Sequence, residues 1–188
     1  MLVAKVIAAW LLADFLSGVF HWLEDRYGNP SWPILGEYVV KPNILHHEDP
    51  KAMLAGGYWH RNWTTILPAV ALAVASAAFA PWWVVLAFVF LSQANQVHAW
   101  AHCKPPIVVQ FLQRANVLIR ATDHHRHHRH PFNSDFCTMS PLLNPVLSVL
   151  RFWQAMEAAL AFAGIPTYSQ RSDQNIDRSG AVVSSAGS

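Results

Sequence analysis

Histidine is the residue type in this chain that could do chemistry, and its eleven copies are gathered rather than scattered. His21 stands four residues before Asp25. His46 and His47 are adjacent, His60 stands alone, and His98 and His102 are four residues apart. The last cluster is the run Asp123-His124-His125-Arg126-His127-His128-Arg129-His130. Imidazole is the commonest protein metal ligand and titrates near neutrality. An i, i+4 pair on a helix puts two side chains on one face, within reach of one ion. His98 and His102 have that spacing, and His21 and Asp25 repeat it with a carboxylate as the second member. On a helix His124, His127 and His128 would also share a face, from which His125 and His130 point away. Each motif alone is ambiguous. The basic run, with Arg126 and Arg129, would equally suit anionic lipid headgroups, and His46-His47 before Glu48-Asp49-Pro50 could be two loop residues. Together the clusters supply more ligands than a single ion needs, which points to a metal centre.

The donor set narrows the metal. Structural zinc sites lean on cysteine, and this chain has only Cys103 and Cys137, with no CxxC pair. A haem would use one or two axial histidines and leave most clusters idle. Soluble di-iron bundles use Glu and Glu-x-x-His ligands, whereas few acids flank these clusters. A histidine-rich pair of iron ions is the remaining match, and its open positions would bind dioxygen. A zinc-dependent membrane hydrolase would need one metal and a general base. Glu24, Glu48 or Glu157 could be nominated, but no HExxH motif occurs. A bis-histidine haem or metal carrier is a third class.

The elements that must position these residues are apolar. The chain is 53% hydrophobic, with nine Trp and ten Phe, and only 13% charged, against roughly a quarter in soluble domains. Membrane residence follows, and the two cysteines are expected to stay reduced. Met1 to Leu23 is apolar apart from Lys5, Asp14, Ser17 and His21, long enough to cross a bilayer. Asp14 interrupts what would be a signal-peptide core and no small-residue cleavage site follows, so a retained helix is expected. Asp14, Ser17, Gly18, His21 and Asp25 share one face of it, and an acid within a span is a functional hypothesis by default. Pro30, Pro33, Pro42 and Pro50 break up residues 24–62. From Thr64 to Trp100 no charged residue occurs, too long a stretch for one span of about 20 residues. The break at Ala80-Pro81 predicts a hairpin of Trp63–Phe79 and Pro81–His102. Leu142 to Ala163 is apolar but carries Arg151, Gln154 and Glu157, so it is an interfacial helix or a fourth span.

The expected fold is therefore an all-α integral membrane protein, with three to four transmembrane or membrane-embedded helices under a His-rich cap. Residues 1–168 form the domain, and the polar 169–188 tail is expected to be disordered. Both mouths of the hairpin and the end of the first helix carry histidines, so all clusters converge on one side. Twelve of the thirteen Lys and Arg begin at Arg26 and follow that assignment. By the positive-inside rule the His-rich face is cytosolic, in a bacterial inner membrane.

The motifs also carry a family resemblance. Asp14-Phe-Leu-Ser-Gly18-Val-Phe-His21-Trp-Leu-Glu-Asp25, His46-His47-Glu-Asp-Pro50, Asn95-Gln-Val-His98-Ala-Trp-Ala-His102, and His124-x-x-His127-His128-Arg-His-Pro131 with Phe136-Cys137 occur in this order. The pattern, over roughly residues 10–168, resembles the membrane lipid desaturase family, which includes desaturases of plasmalogen precursors and of chloroplast phosphatidylglycerol. The resemblance implies an iron- and O2-dependent enzyme that makes a carbon–carbon double bond in a phospholipid acyl or alkyl chain. Electrons would come from a donor such as cytochrome b5 or ferredoxin. It implies His21, His46, His47, His98, His102, His124, His127 and His128 as ligands to two iron ions (Fe2+/Fe3+). Asp25 would be a ligand or an acceptor behind one. His60 stands on a stretch, Lys51–Asn62, that departs from the family pattern, and is a weaker ligand candidate. Asn62, Asn95 and Asp123 would support the ligands from behind. A lipid headgroup is expected near Arg126 and Arg129. A lipid hydroxylase using the same oxidant is the nearest alternative.

Overall fold

A computed structural model describes residues 1–169. The expected disordered tail lies, but for Ser169, outside the described residues. Among those described, the fold is helical with no strand. Helix α1 (Leu2–Tyr27) is the longest. It runs a turn past the apolar stretch that predicts it, so His21 and Asp25 both lie inside it. Of the described helices it alone is long and apolar enough, by itself, to cross a membrane.

A π-helical turn (Gly36–Val40) leads into α2 (Lys41–Glu48), where Pro42 sits in the first turn, the one place a helix tolerates it. Helix α2 carries His46 and His47 in its last turn. A single 3-10 turn (Ala52–Leu54) and Gly56, at φ 77°, separate it from α3 (Tyr58–Ser76). Helix α3 thus starts five residues before the expected Trp63, because the break comes at Gly56-Gly57, and it includes His60 and Asn62.

The second hairpin arm begins as expected at Pro81 but is not one helix. It divides into α4 (Trp82–Leu91) and α5 (Ala94–Trp100). At the break Ser92 Oγ donates to the Val89 carbonyl at 2.7 Å, a local bond that competes with the helical ladder. His102 lies just beyond α5 rather than on it. Short helices α6 (Ile107–Arg114) and α7 (Ala121–His124) follow.

The predicted single helix over 142–163 is also two, α8 (Leu143–Val149) and α9 (Phe152–Phe162), parted at Arg151 in a left-handed conformation, φ 50°. At about 1.5 Å per residue neither can cross a hydrocarbon core of about 30 Å. The segment is therefore not one continuous spanning helix. Glu157 holds α9 to α1: its carboxylate accepts from Arg26 Nε at 2.8 Å, Arg26 Nη2 at 3.1 Å and Trp22 Nε1 at 3.3 Å.

Helix α4 packs against both α1 and α3. Ala9 and Ala13 of α1 and Ala87 of α4 are completely buried; such small side chains let two backbones approach closely. Outward, α1, α3 and α4 expose Ile7, Leu67, Val70, Val74 and Val89, an apolar surface of the kind that needs a cover other than water.

Candidate metal centre

The site is assembled from five separate pieces of chain. Helix α1 presents His21 and Asp25, the end of α2 presents His46 and His47, and α5 with the turn after it presents His98 and His102. The stretch 124–128 adds three more histidines. The fifth piece, the buried segment 135–140, offers no ligand but holds the others.

Two adjoining groups result. His46, His98, His102, His124 and His128 form one; His21, Asp25, His47 and His127 form the other. Within each, one donor atom per residue lies within 4.8 Å of all the rest. The run 124–128 therefore does not act as one helical face. Helix α7 ends at His124, and the turns that follow send His124 and His128 to one group and His127 to the other.

The donors fit a pair of cations. His98 Nε2 lies 2.7 Å from His124 Nε2, and His128 Nε2 lies 3.1 Å from the same atom. Nitrogen lone pairs do not converge like this unless a proton or a metal ion sits among them; metal–imidazole bonds of about 2.0–2.1 Å set comparable spacings. Nitrogens of His21, His46, His47, His102, His124 and His128 are buried without a hydrogen-bond partner. Burial pushes His46 down to about 2 and His128 to about 3, with neighbouring imidazoles adding to the effect, and holds His124 well below the usual imidazole range. Neutral rings with free lone pairs are the ligand form.

The rings are fixed from behind by backbone. His127 Nδ1 donates to the Ser134 carbonyl at 2.8 Å and His21 Nδ1 to that of Phe136 at 3.2 Å, which turns each Nε2 toward Asp25. Asp25 Oδ2 is 3.1 Å from His127 Nε2, and Oδ1 is 3.0 Å from His47 Nε2 and 3.7 Å from His21 Nε2. The Asn43 amide also donates to Asp25 Oδ1. Asn43 and the two carbonyls were not among the residues the sequence singled out.

Residues 135–140 are held by the polar face of α1. Asp14 Oδ1 accepts from the Met139 and Ser140 amides at 3.1 and 2.9 Å, and Oδ2 accepts from Ser140 Oγ at 2.7 Å. Ser17 Oγ accepts from the Thr138 amide at 3.1 Å. Asn144 brackets Cys137, accepting from its amide at 3.0 Å and donating to its carbonyl at 2.8 Å. Asp14 is thus an anchor for this segment and belongs to neither metal group.

Four supporting candidates lie elsewhere. His60 is exposed and outside both groups. Asn62 donates to the Tyr58 carbonyl and to Gln96, Asn95 donates to the Arg61 carbonyl, and Asp123 pairs with Arg120 at 2.7 Å. None of these bonds reaches a ligand histidine; Asp123 is taken by the arginine three residues before it, and the asparagines tie α3 to α5. His125 and His130 are exposed, and both cysteines are free, with Cys137 buried.

A cavity of about 580 Å³ opens onto His21, His46 and His98. Along α3 its wall runs from Arg61 through Thr65 and Pro68 to Leu72, about 16 Å of helix. His60 and Arg61 line it toward the start of α3, with Ala69, Leu72 and Leu91 farther along, and Lys41, paired with Glu37, and Glu24 also border it. Arg126 and Arg129 do not line it, and Arg126 is paired with Asp135 at 3.4 Å; the cations beside this cavity belong to α2 and α3.

Residues 10–167 match the family model of the lipid desaturase domain. The chain belongs to the lipid desaturase family. Among lipid desaturases it is 33% identical to the plasmanylethanolamine desaturase of Myxococcus xanthus over 174 residues, 87% of this chain and 62% of that protein. It is 35% identical to fatty acid desaturase 4-like 1, chloroplastic, of Arabidopsis thaliana over 166 residues, 82% of this chain and 55% of that protein. Mouse plasmanylethanolamine desaturase 1 is 31% identical over 173 residues, 84% of this chain and 64% of its own length. The chain thus spans about three-fifths of the length of these curated relatives. No solved structure matches it.

Proposed function

We propose that this chain is an O2-dependent membrane lipid desaturase whose two ligand groups each hold one iron ion. The observation that carries the reading is the juxtaposition of the two groups with a cavity that is polar beside the histidines and apolar beyond them. Iron held there would supply, with O2 and electrons from outside, the oxidising power that removes two hydrogens from adjacent carbons. The rings of His98, His102 and His128 lie 4.7, 4.5 and 4.6 Å, centroid to centroid, from that of His46. That crowding leaves no room for a haem macrocycle between them.

The protein's own contribution is positioning. Arg61 and His60 meet the phosphate of a phospholipid, Lys41 being held by Glu37, and the chain extends past Pro68 and Ala69 toward Leu72 and Leu91. His98 lies two residues beyond Gln96, which accepts from Arg61 Nη2 at 3.2 Å, so the first ligand histidine of α5 lies close to the level of Arg61. The carbons presented to the ligand groups are those nearest the headgroup, because Leu91, at the end of α4, lies across the helix break from His98. Displacement of a reacting carbon by about 1 Å would cost on the order of 100-fold in rate.

In this reading residues 1–168 form one desaturase domain. Helix α1, α3 and the α4–α5 arm cross a bacterial inner membrane, α8 and α9 rest in its interface, and the histidine face is cytosolic. Lipid profiling of a host with and without expression, beside iron and zinc analysis of the purified protein, tests the proposal. A phospholipid lighter by two hydrogens and an iron-bearing protein are expected. A lipid heavier by one oxygen would assign hydroxylation instead, and zinc with lipid cleavage would assign a hydrolase.

A further inference from the structure

Two openings reach the histidines, and they share no lining residue. The first is the cavity of the proposed substrate. The second is a wider depression of about 750 Å³ that touches His102 and His128, both members of the five-histidine group. The loop carrying the 3-10 turn divides them: Ala52, Met53 and Ala55 line the cavity, Lys51 and Leu54 the depression. The depression is flanked by Lys51 and Lys104, both exposed and, among the described residues, neither in an ion pair, together with the exposed His125. Among the described residues no carboxylate lines it; the exposed Glu48 and Asp49 lie beside it, Asp49 accepting from the Lys51 amide at 3.0 Å.

Desaturation leaves an electron requirement that no residue here meets. When a CH2–CH2 unit becomes CH=CH and O2 becomes two waters, the lipid supplies two hydrogens with their electrons. Two further electrons and two protons must arrive from outside. We propose that the depression between Lys51 and Lys104 is the docking face for an acidic one-electron carrier protein, which is oxidised once per electron delivered above His102 and His128. The inference rests on the desaturase reading. A lining that carries cations and no carboxylate steers an acidic surface and sets its register. An anionic bilayer would meet the same lysines, but a flat surface does not enter a recess, whereas a protruding protein surface does. Protons enter from the same solvent-facing side.

The test is binding to the purified, iron-loaded protein in detergent, at low and high salt. The probes are an acidic [2Fe–2S] ferredoxin and the soluble haem domain of cytochrome b5. At least one should bind, more weakly as salt rises. The double substitution Lys51→Glu with Lys104→Glu should lower its affinity about tenfold or more at low salt, with iron content equal to that of the unaltered protein. If charge reversal costs iron, Lys51→Gln with Lys104→Gln replaces it, with a smaller loss of affinity expected. The proposal is overturned if neither carrier binds, if the substitutions leave both affinities unchanged, or if they weaken binding only to phosphatidylglycerol vesicles. Failure of the desaturase reading is distinct: the unaltered protein, supplied with dithionite in place of a carrier, would then yield no desaturated lipid.

Discussion

His127 and His128 are neighbours in the chain, yet their rings belong to different ligand groups. Removing either should therefore remove one metal rather than both. For His127→Ala and His128→Ala we expect about half of the iron of the unaltered protein, with desaturation abolished in each; full loss of iron from either variant would show one shared site. Asp14 has a different task. Asp14→Ala would leave the amides of Met139 and Ser140 and the Ser140 hydroxyl as buried, unpaired donors. At about 1–3 kcal/mol for each unsatisfied group, the loss should be about 3 kcal/mol or more, read as a lower unfolding midpoint in detergent. That these histidines gather was legible in the sequence because their chemistry resides in the side chain and their spacing is regular. The groups that orient them were not. The carbonyls of Ser134 and Phe136 carry no residue-type signal, and Asn43 is one asparagine among several until α2 is laid against α1. Asp14 stood out as a buried acid, but its partners lie more than a hundred residues away.

Among the elements, the first helix and the hairpin were legible because an uncharged run interrupted by Ala80-Pro81 allows few other arrangements. The division of 142–163 was not, since it depends on the left-handed turn at Arg151, which no proline or glycine announces. Nor was the packing of α1 on the buried segment. Gly18 sits there because no side chain fits: a Cβ at this position would lie 2.7 Å from Cys137 Sγ, 3.1 Å from the Cys137 amide nitrogen and 3.2 Å from Trp153 Cζ2. Gly18→Ala should cost about 1–3 kcal/mol by overpacking. Because the closest obstacle is a side-chain sulfur, adding Cys137→Ala should recover part of the stability, while the nearby amide keeps the rescue incomplete. The two changes measured singly and together form a cycle; simple additivity of the two losses would show that the contact does not limit α1.

For the whole molecule, sequence pattern pointed to convergence, in that the first helix and both mouths of the hairpin carry histidines, but not to the two openings or the loop that divides them. Those depend on which side of the 51–55 turn each residue faces, a matter of tertiary placement that periodicity does not encode. The same placement provides a native probe of orientation. Cys103 is exposed and lines the depression, whereas Cys137 is completely buried, its thiol pushed up by burial and by nearby carboxylates. A membrane-impermeant maleimide needs both access and thiolate, so it should label one site per chain. With the histidine face cytosolic, that label should appear in inside-out vesicles and not on intact spheroplasts, and Cys103→Ser should remove it. Labelling of intact spheroplasts would place the two ligand groups and the depression on the opposite side of the membrane, out of reach of a cytosolic electron carrier.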